Sequence, residues 1–150
     1  MIRNLPKETQ KEILTYVPKT EFFMVPANIF QYKELPSDDI RRVVVSNNML
    51  LVAHDLGISI SHDGGKSFIN RTVTNGLASN DAKDIAVAVY NNSSIIVVAT
   101  TDGLSISSDG GISFITKAMM DGLGDHRVSS VFVSGQHIYV GGPKGLSISW

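Results

Sequence analysis

Two adjacent pairs of histidine and aspartate are the residues whose types could support catalysis. His54-Asp55 and Asp125-His126 each combine an imidazole with a carboxylate, the combination in which an acid orients a general base. Adjacent residues of a strand point to opposite faces of the sheet, so a strand cannot make either pair act together. We therefore expect all four to be solvated turn residues, and the sequence predicts that the protein is not an enzyme.

The sequence also lacks the residue patterns that are typical of metal and cofactor sites. The four histidines show no i, i+2 or i, i+4 spacing, and the chain has no cysteine, so a zinc site is not expected. Gly122-Leu123-Gly124 lacks the third glycine of a dinucleotide-binding loop. We expect no metal and no cofactor.

Charge and hydrophobicity limit the partners. The 150 residues carry 13 basic and 14 acidic side chains, and a net charge of −1 argues against nucleic acid or an anionic membrane as a partner. The longest apolar runs are too short to cross a bilayer. The N-terminus lacks the apolar stretch of a secretory signal, so a cytoplasmic location is expected, with export by a signal-independent route left open.

An internal repeat organises most of the chain. Gly57-Ile58-Ser59-Ile60-Ser61 returns at residues 103–107 and again at 145–149, at spacings of 46 and 42 residues. We assign the difference to one loop, residues 90–94, which is about four residues longer than its counterparts. The predicted units span residues 35–76, 77–122 and 123–150.

Each unit is typical of short strands separated by turns. The strands predicted for the first unit are residues 40–46, 49–54, 57–61 and 67–71, and those for the second are residues 84–90, 95–100, 103–107 and 113–117. The first strand of each unit is nearly all apolar, as in Val43-Val44-Val45, which predicts an antiparallel meander whose most buried strand comes first.

A short motif follows the repeated strand twice and fits the form S-x-D-x-G-x-[ST]-[WF]. Its residues are Ser61, Asp63, Gly64, Gly65, Ser67 and Phe68 in the first copy, and Ser107, Asp109, Gly110, Gly111, Ser113 and Phe114 in the second. This motif resembles the Asp-box, or BNR repeat, of β-propeller proteins, and the resemblance covers residues 35–150.

The resemblance implies an all-β fold, a propeller-type array of about three four-stranded antiparallel blades with the third incomplete. In that family the boxes are structural and lie away from the ligand site, with the terminal Phe between the sheets. A physical reading agrees, because an ionised Asp can accept N–H bonds in its own turn while Gly supplies positive φ.

Sialidases are the best-known Asp-box enzymes. A resemblance to them would imply an arginine triad that grips the substrate and a Tyr–Glu nucleophile pair. No glutamate follows Glu34, so this pair cannot form within the repeats. The arginines of the repeats show no recognisable triad setting; they are Arg41, Arg42, Arg71 and Arg127. A sialidase-like glycoside hydrolase fragment, or a related glycan-binding domain, is therefore a disfavoured alternative.

The preferred function is non-enzymatic binding of a protein or glycan by loops on one rim. By propeller analogy the candidate loops precede the first strand of each unit. Their candidate residues are Asp38, Asp39, Asn80, Asp81, Asp125, His126 and Arg127. An arc of three blades leaves two end sheets without neighbours. Three arrangements stay open: a homo-oligomer that completes a propeller ring, a fragment of a longer propeller, or an arc capped by residues 1–34.

Residues 1–34 differ from the repeats, since they hold all four glutamates and none of the 13 glycines. Pro6 suits a first helical position and Pro18 a stop, so a short helical extension is predicted. Leu5-Pro6-Lys7-Glu8 followed by Ile13-Leu14-Thr15-Tyr16-Val17-Pro18 also resembles the start of an F-box. That resemblance implies an alternative function, a substrate adaptor for a cullin ubiquitin ligase, with Leu5, Pro6, Ile13 and Leu14 docking a Skp-type adaptor.

Overall fold

Three antiparallel sheets follow one another along residues 34–150, the part of the chain that the computed structural model describes. The predicted helical extension lies outside these residues, apart from Glu34. Sheet 1 consists of β1 (Ile40–Ser46), β2 (Met49–His54), β3 (Gly57–Ser61) and β4 (Ile69–Arg71). Sheet 2 consists of β5 (Ala82–Tyr90), β6 (Ser93–Thr100), β7 (Gly103–Ser107) and β8 (Ile115–Lys117). Sheet 3 consists of β9 (Ser130–Ser134), β10 (His137–Gly142) and β11 (Gly145–Ile148).

The all-β class and the antiparallel meander are confirmed. Strands β1, β2, β3 and β7 have the predicted bounds, and β4 begins at Ile69 instead of Ser67 because the preceding residues belong to the hydrogen-bonded turn around Asp63. The only helical elements in residues 34–150 are two 3₁₀ turns, Val73–Asn75 and Met119–Asp121. No helix in this described part is long and apolar enough to cross a membrane.

The extra residues of the second unit do not form a longer loop, which corrects the prediction. Asn91-Asn92 makes the same two-residue turn between β5 and β6 that Asn47-Asn48 makes between β1 and β2, with positive φ at all four positions. Two positive φ values in succession suit the turn that matches the twist of a hairpin. The additional residues lengthen the two paired strands instead, since Tyr90 pairs with Ser93 directly beside the turn.

The expectation that the first strand is the most buried is wrong. Val43 and Val45 of β1 are 55% and 73% exposed, whereas β3 is buried along its whole length. The physical reason is the strand order, because each first strand lies at the edge of its sheet and has a hydrogen-bonded neighbour on one side only. In sheets 1 and 2 the second and third strands lie inside the sheet and carry most of the core.

Alternate residues of β6 hold the three sheets together. Ile96 and Val98 pack towards sheet 1, in a buried cluster with residues such as Leu51, Ile58 and Phe114. Val97 and Ala99 point the other way, into a second cluster with residues of sheet 3. Because alternate residues of a strand point to opposite faces, sheet 2 is buried on both faces, and sheets 1 and 3 lie on opposite sides of it.

This packing makes a prediction about Phe114, which is 6% exposed between sheets 1 and 2. Phe114→Ala should lower the free energy of unfolding by about 3–5 kcal/mol, because it leaves a cavity in a packed core. The neighbouring Ile115→Ala is the control, since Ile115 is 62% exposed, and it should cost well under half as much. Urea denaturation measures the difference; equal losses for the two variants would contradict the assignment.

Candidate functional site

Each of the two Asp-box-like turns is held mainly by hydrogen bonds among its own residues. Asp63 Oδ1 accepts from the backbone N–H groups of Lys66 (3.0 Å) and Ser67 (2.9 Å), and Oδ2 accepts from Ser67 Oγ at 2.6 Å. Ser61 Oγ donates to Asp63 Oδ1 at 2.8 Å and accepts from Gly65 N. The carboxylate therefore uses its acceptor capacity to fix the hairpin between β3 and β4.

The second box repeats this arrangement between β7 and β8. Asp109 accepts from Ile112 N and Ser113 N at 3.0 Å and from Ser113 Oγ at 2.6 Å. The serine hydroxyl, then the backbone N–H groups, hold the pKa of this carboxyl far below its usual value, and Asp63 behaves alike. Glycines 64, 65, 110 and 111 all have φ between 72° and 90°, which side chains disfavour.

The three candidate loops lie at the opposite end of the sheets from these boxes. Each loop precedes the first strand of its sheet. Because the first and second strands are antiparallel, the loop lies beside the turn between the second and third strands. From that turn the third strand runs to the other end of the sheet, where the box follows it in sheets 1 and 2. Hydrogen bonds show the proximity: Thr101 N donates to Asp81 O at 3.3 Å, and Val128 N donates to Thr100 O at 2.9 Å. We call this end, residues 37–39, 79–81 and 124–127 with the adjoining turns, the rim.

Arg41 connects the first two rim loops. Its guanidinium donates to Asp39 Oδ2 at 2.9 Å and to the carboxylate of Asp81, which Lys83 Nζ also contacts at 2.9 Å. Burial pushes the pKa of Asp81 up, but the bonds from Lys83 and Arg41 outweigh it and the pKa lies below its usual value. No local pattern signals this link, because Arg41 and Asp81 are 40 residues apart.

Other rim residues have structural partners. Asn80 Oδ1 accepts from Val73 N at 2.8 Å and so supports the 3₁₀ turn that precedes the loop. Asp84, just below the rim, pairs with Arg42 at 3.2 Å and accepts from Val131 N at 3.0 Å, which links residues of all three sheets. Asp38 is exposed.

Asp125 contradicts the expectation of a solvated turn residue, because its side chain is only 3% exposed. Oδ1 accepts from Arg127 N at 3.2 Å, whereas Oδ2 has no hydrogen-bond partner among the described residues. Arg127 Nη2 lies 3.7 Å from Oδ2, beside a cavity about large enough for one water that Lys144 also lines. The Arg127 N–H bond, then the nearby cations, keep the pKa of Asp125 below its usual value.

His54 is also buried, which corrects the second expected solvated pair. Its Nδ1 accepts from Leu56 N at 3.2 Å, so Nε2 carries the proton and donates to Ser59 Oγ at 2.9 Å. Ser59 in turn donates to Asn70 at 2.6 Å. Burial lowers the pKa of His54 and favours the neutral ring. An imidazole that donates to a serine cannot take its proton, so this contact serves the packing of sheet 1.

Two sets of candidate site residues remain, the exposed residues of the third rim loop and the possible adaptor-docking residues. His126 and Arg127 are exposed at the rim beside Asp125. The possible adaptor-docking residues Leu5, Pro6, Ile13 and Leu14 lie outside the residues that the structure describes. Within residues 34–150, no group of three or more acidic or histidine side chains is placed to hold a metal ion.

Comparisons with known proteins find likeness in structure only. No protein-family model and no curated protein matches the chain. The extracellular domain of a hybrid two-component system from B. thetaiotaomicron matches 85% of this chain with a TM-score of 0.67 and 16% identity. An ancestral GH74 enzyme matches 69% with a TM-score of 0.52 and 26% identity, and the computationally designed Ika4 protein matches 74% with a TM-score of 0.56 and 14% identity.

These matches cover 18%, 13% and 65% of the three other chains, respectively. The chain thus spans less than a fifth of the extracellular domain and of the ancestral GH74 enzyme. What the likeness establishes is an all-β fold of repeated antiparallel sheets.

The carboxylates of Asp63 and Asp109 predict a dependence of stability on pH. Because the pKa of folded Asp109 lies below the unfolded value of about 3.9, its ionised form stabilises the protein above that pH, and the contribution is lost as the pH falls further. Asp109→Asn should therefore be less stable than wild type at pH 7, with the difference shrinking between pH 4 and pH 2.

Urea midpoints across this range test the prediction. Asp102→Asn, at an exposed position in the turn between β6 and β7, is the matched control and should follow wild type throughout. A difference between Asp109→Asn and wild type that stays constant down to pH 2 would count against the role of the charge.

Proposed function

We propose that residues 34–150 are a non-enzymatic binding module of the Asp-box propeller type, with the rim as the ligand face. The first strands support a propeller-like arrangement, since β1 lies beside β5 and β5 beside β9. The boxes are confined to the opposite end, so the rim is free of their turn structure. Polar contacts such as Arg41 with Asp81 hold two of its three loops in place before any ligand arrives.

The observation that carries the proposal is the free acceptor of Asp125. A buried carboxylate oxygen without a donor is costly, and a ligand that supplies one recovers that cost. Arg127 and Lys144 lie close by and would repel a cationic donor, so a neutral hydroxyl fits best. Sugars present such hydroxyls, and we therefore favour a glycan over a protein ligand.

The lowered pKa values of two rim carboxylates favour binding over hydrolysis. Glycoside hydrolysis needs a carboxylic acid that keeps its proton near neutral pH, so its pKa must be raised. The pKa values of Asp81 and Asp125 are instead lowered by their hydrogen-bond donors and nearby cations. The likeness to an ancestral GH74 enzyme supports a carbohydrate-related domain, and this chain would retain recognition without the acid.

A glycan array gives the test. The wild-type chain should bind a subset of glycans, and Asp125→Asn should bind the same glycans about 10- to 100-fold more weakly, the loss expected for one hydrogen bond to a charged acceptor. Gln136→Ala, exposed in the turn between β9 and β10 at the opposite end, is the control and should bind as wild type does.

Three results would contradict the proposal. Binding that is unaffected by Asp125→Asn would move the site away from the third rim loop. Release of free sugar from a bound glycan would show an enzyme, and an array without any bound glycan would remove the favoured ligand class.

A further inference from the structure

The first two rim loops are closed by a side chain from the turn beside them. In the first loop the hydroxyl of Ser37 donates to the carboxylate of Asp55. In the second loop the hydroxyls of Ser79 and Thr101 lie 3.0 Å apart. Asp55 and Thr101 are each the first residue of the turn that joins the second and third strands of the sheet. The same contact therefore occurs in both repeats.

The third rim loop lacks this contact, although its backbone is arranged in the same way. Ser79 Oγ accepts from the backbone N–H two residues later at 3.1 Å. Asp125 Oδ1 does the same, with Arg127 N as the donor at 3.2 Å. The first residue of the turn between β10 and β11 is Pro143, whose side chain has no donor. Asp125 Oδ2 is therefore left without the partner that the other two turns supply.

The space beside Asp125 admits only a small donor. The side chain lines a cavity of about 10 Å³, which has room for one water or one hydroxyl group. Oδ2 is buried, has no hydrogen-bond partner among the described residues, and belongs to a side chain that is 3% exposed. A ligand must therefore reach this oxygen with a narrow group while the bulk of the ligand stays outside.

This size distinguishes between the hydroxyls of a sugar. A hydroxyl on a ring carbon has further ring atoms on both sides, which do not fit a space for one water. The primary hydroxyl of a hexose is carried by a CH₂ group outside the ring, so it can enter alone. We propose that Asp125 Oδ2 accepts a hydrogen bond from the primary hydroxyl of a hexose, in the position that corresponds to the Thr101 hydroxyl one repeat earlier. This inference rests on the proposed function and names the sugar class.

The charged neighbours complement the rest of such a group. Arg127, whose side chain is 62% exposed, places Nη2 3.7 Å from Asp125 Oδ2, and Lys144 lines the same cavity. Both side chains are donors only, so they suit acceptors of the ligand. In a hexose the ring oxygen lies on the carbon that carries the CH₂OH group. An acceptor beside two donors therefore matches a donor hydroxyl beside an acceptor oxygen.

Three classes of sugar are excluded by the same contact. Pentoses and 6-deoxy sugars have no primary hydroxyl at this position. Uronates carry an ionised carboxylate there, which only accepts hydrogen bonds and cannot donate to Asp125. The Arg127 N–H bond, then the nearby cations, lower the pKa of Asp125, so Asp125 itself stays an acceptor at neutral pH. The third loop should therefore select hexoses with a free primary hydroxyl.

Deoxy analogues of the bound glycans test the proposal with the wild-type chain. For each hexose glycan that binds on the array, titration calorimetry would compare it with the analogue in which hydrogen replaces the primary hydroxyl. The analogue should bind about 10- to 100-fold more weakly, as expected for one hydrogen bond to a charged acceptor. The matched control is the analogue that lacks one ring hydroxyl instead, and its loss should be smaller.

Asp125→Ser gives the second half of this comparison. Serine occupies this position in the first two loops, so it keeps an acceptor for Arg127 N and removes only Oδ2. In this variant the hexose glycan and its analogue without the primary hydroxyl should bind equally, because the group that distinguishes them is gone. A preference that persists in Asp125→Ser would contradict the assignment of the hydroxyl to Asp125.

The outcomes separate this inference from the proposed function. Binding that needs Asp125 but does not change with loss of the primary hydroxyl would overturn the inference and leave the proposed function in place. The same holds if only pentose or uronate glycans bind. An array on which no glycan binds would overturn both.

A donor introduced into the turn gives an independent test. Pro143→Thr places a hydroxyl where the second repeat has that of Thr101, and this hydroxyl should compete with the ligand for Asp125. The variant should bind hexose glycans at least about 10-fold more weakly than wild type. Pro143→Ala adds no donor and is the matched control, which should bind as wild type does. Equal binding by the two variants would contradict the proposal.

Discussion

The packing of apolar sheet faces against one another is the constraint on which the rest of the structure depends. A four-stranded meander of this size cannot bury its own faces, so each sheet needs a neighbour. Sheet 2 has one on each side, since Ile96 and Val98 meet sheet 1 while Val97 and Ala99 meet sheet 3. The end sheets each have one neighbour in the described residues, so sheet 2 carries most of the contacts that hold these residues together.

Local hydrogen bonds make the packing reproducible from one repeat to the next. The turn around Asp109 directly precedes Phe114, which packs between two sheets, and the rim loops lie at the opposite end. At the rim the polar contacts join residues that are far apart in the sequence, such as Arg41 and Asp81 or Asp84 and Val131. The two box turns depend mainly on bonds within one repeat, with a contact between repeats from Arg71 Nε to Gly111 O at 2.6 Å, whereas the rim depends mainly on contacts between repeats.

The sequence predicted features that depend on neighbouring residues and missed those that depend on distant ones. The bounds of β1, β2, β3 and β7 follow from alternation and turn residues, and they are confirmed. The burial of the first strand was wrong because an apolar run does not reveal that its strand lies at a sheet edge. His54 and Asp125 were expected in solvent, yet both are buried, and neither an adjacent residue nor a turn signal in the sequence reveals it.

What the sequence by itself determined is the repeat: its period, its strands, and the turn chemistry of two aspartates that accept bonds from the residues three and four positions later. These are properties of short segments, so a single sequence contains them. Only the tertiary structure decided which carboxylates accept a full set of hydrogen bonds and which, as at Asp125, keeps an oxygen without a hydrogen-bond donor among the described residues. Such properties arise from the meeting of segments that are distant in the sequence, as Arg41 and Asp81 are, and no local pattern records which groups will meet.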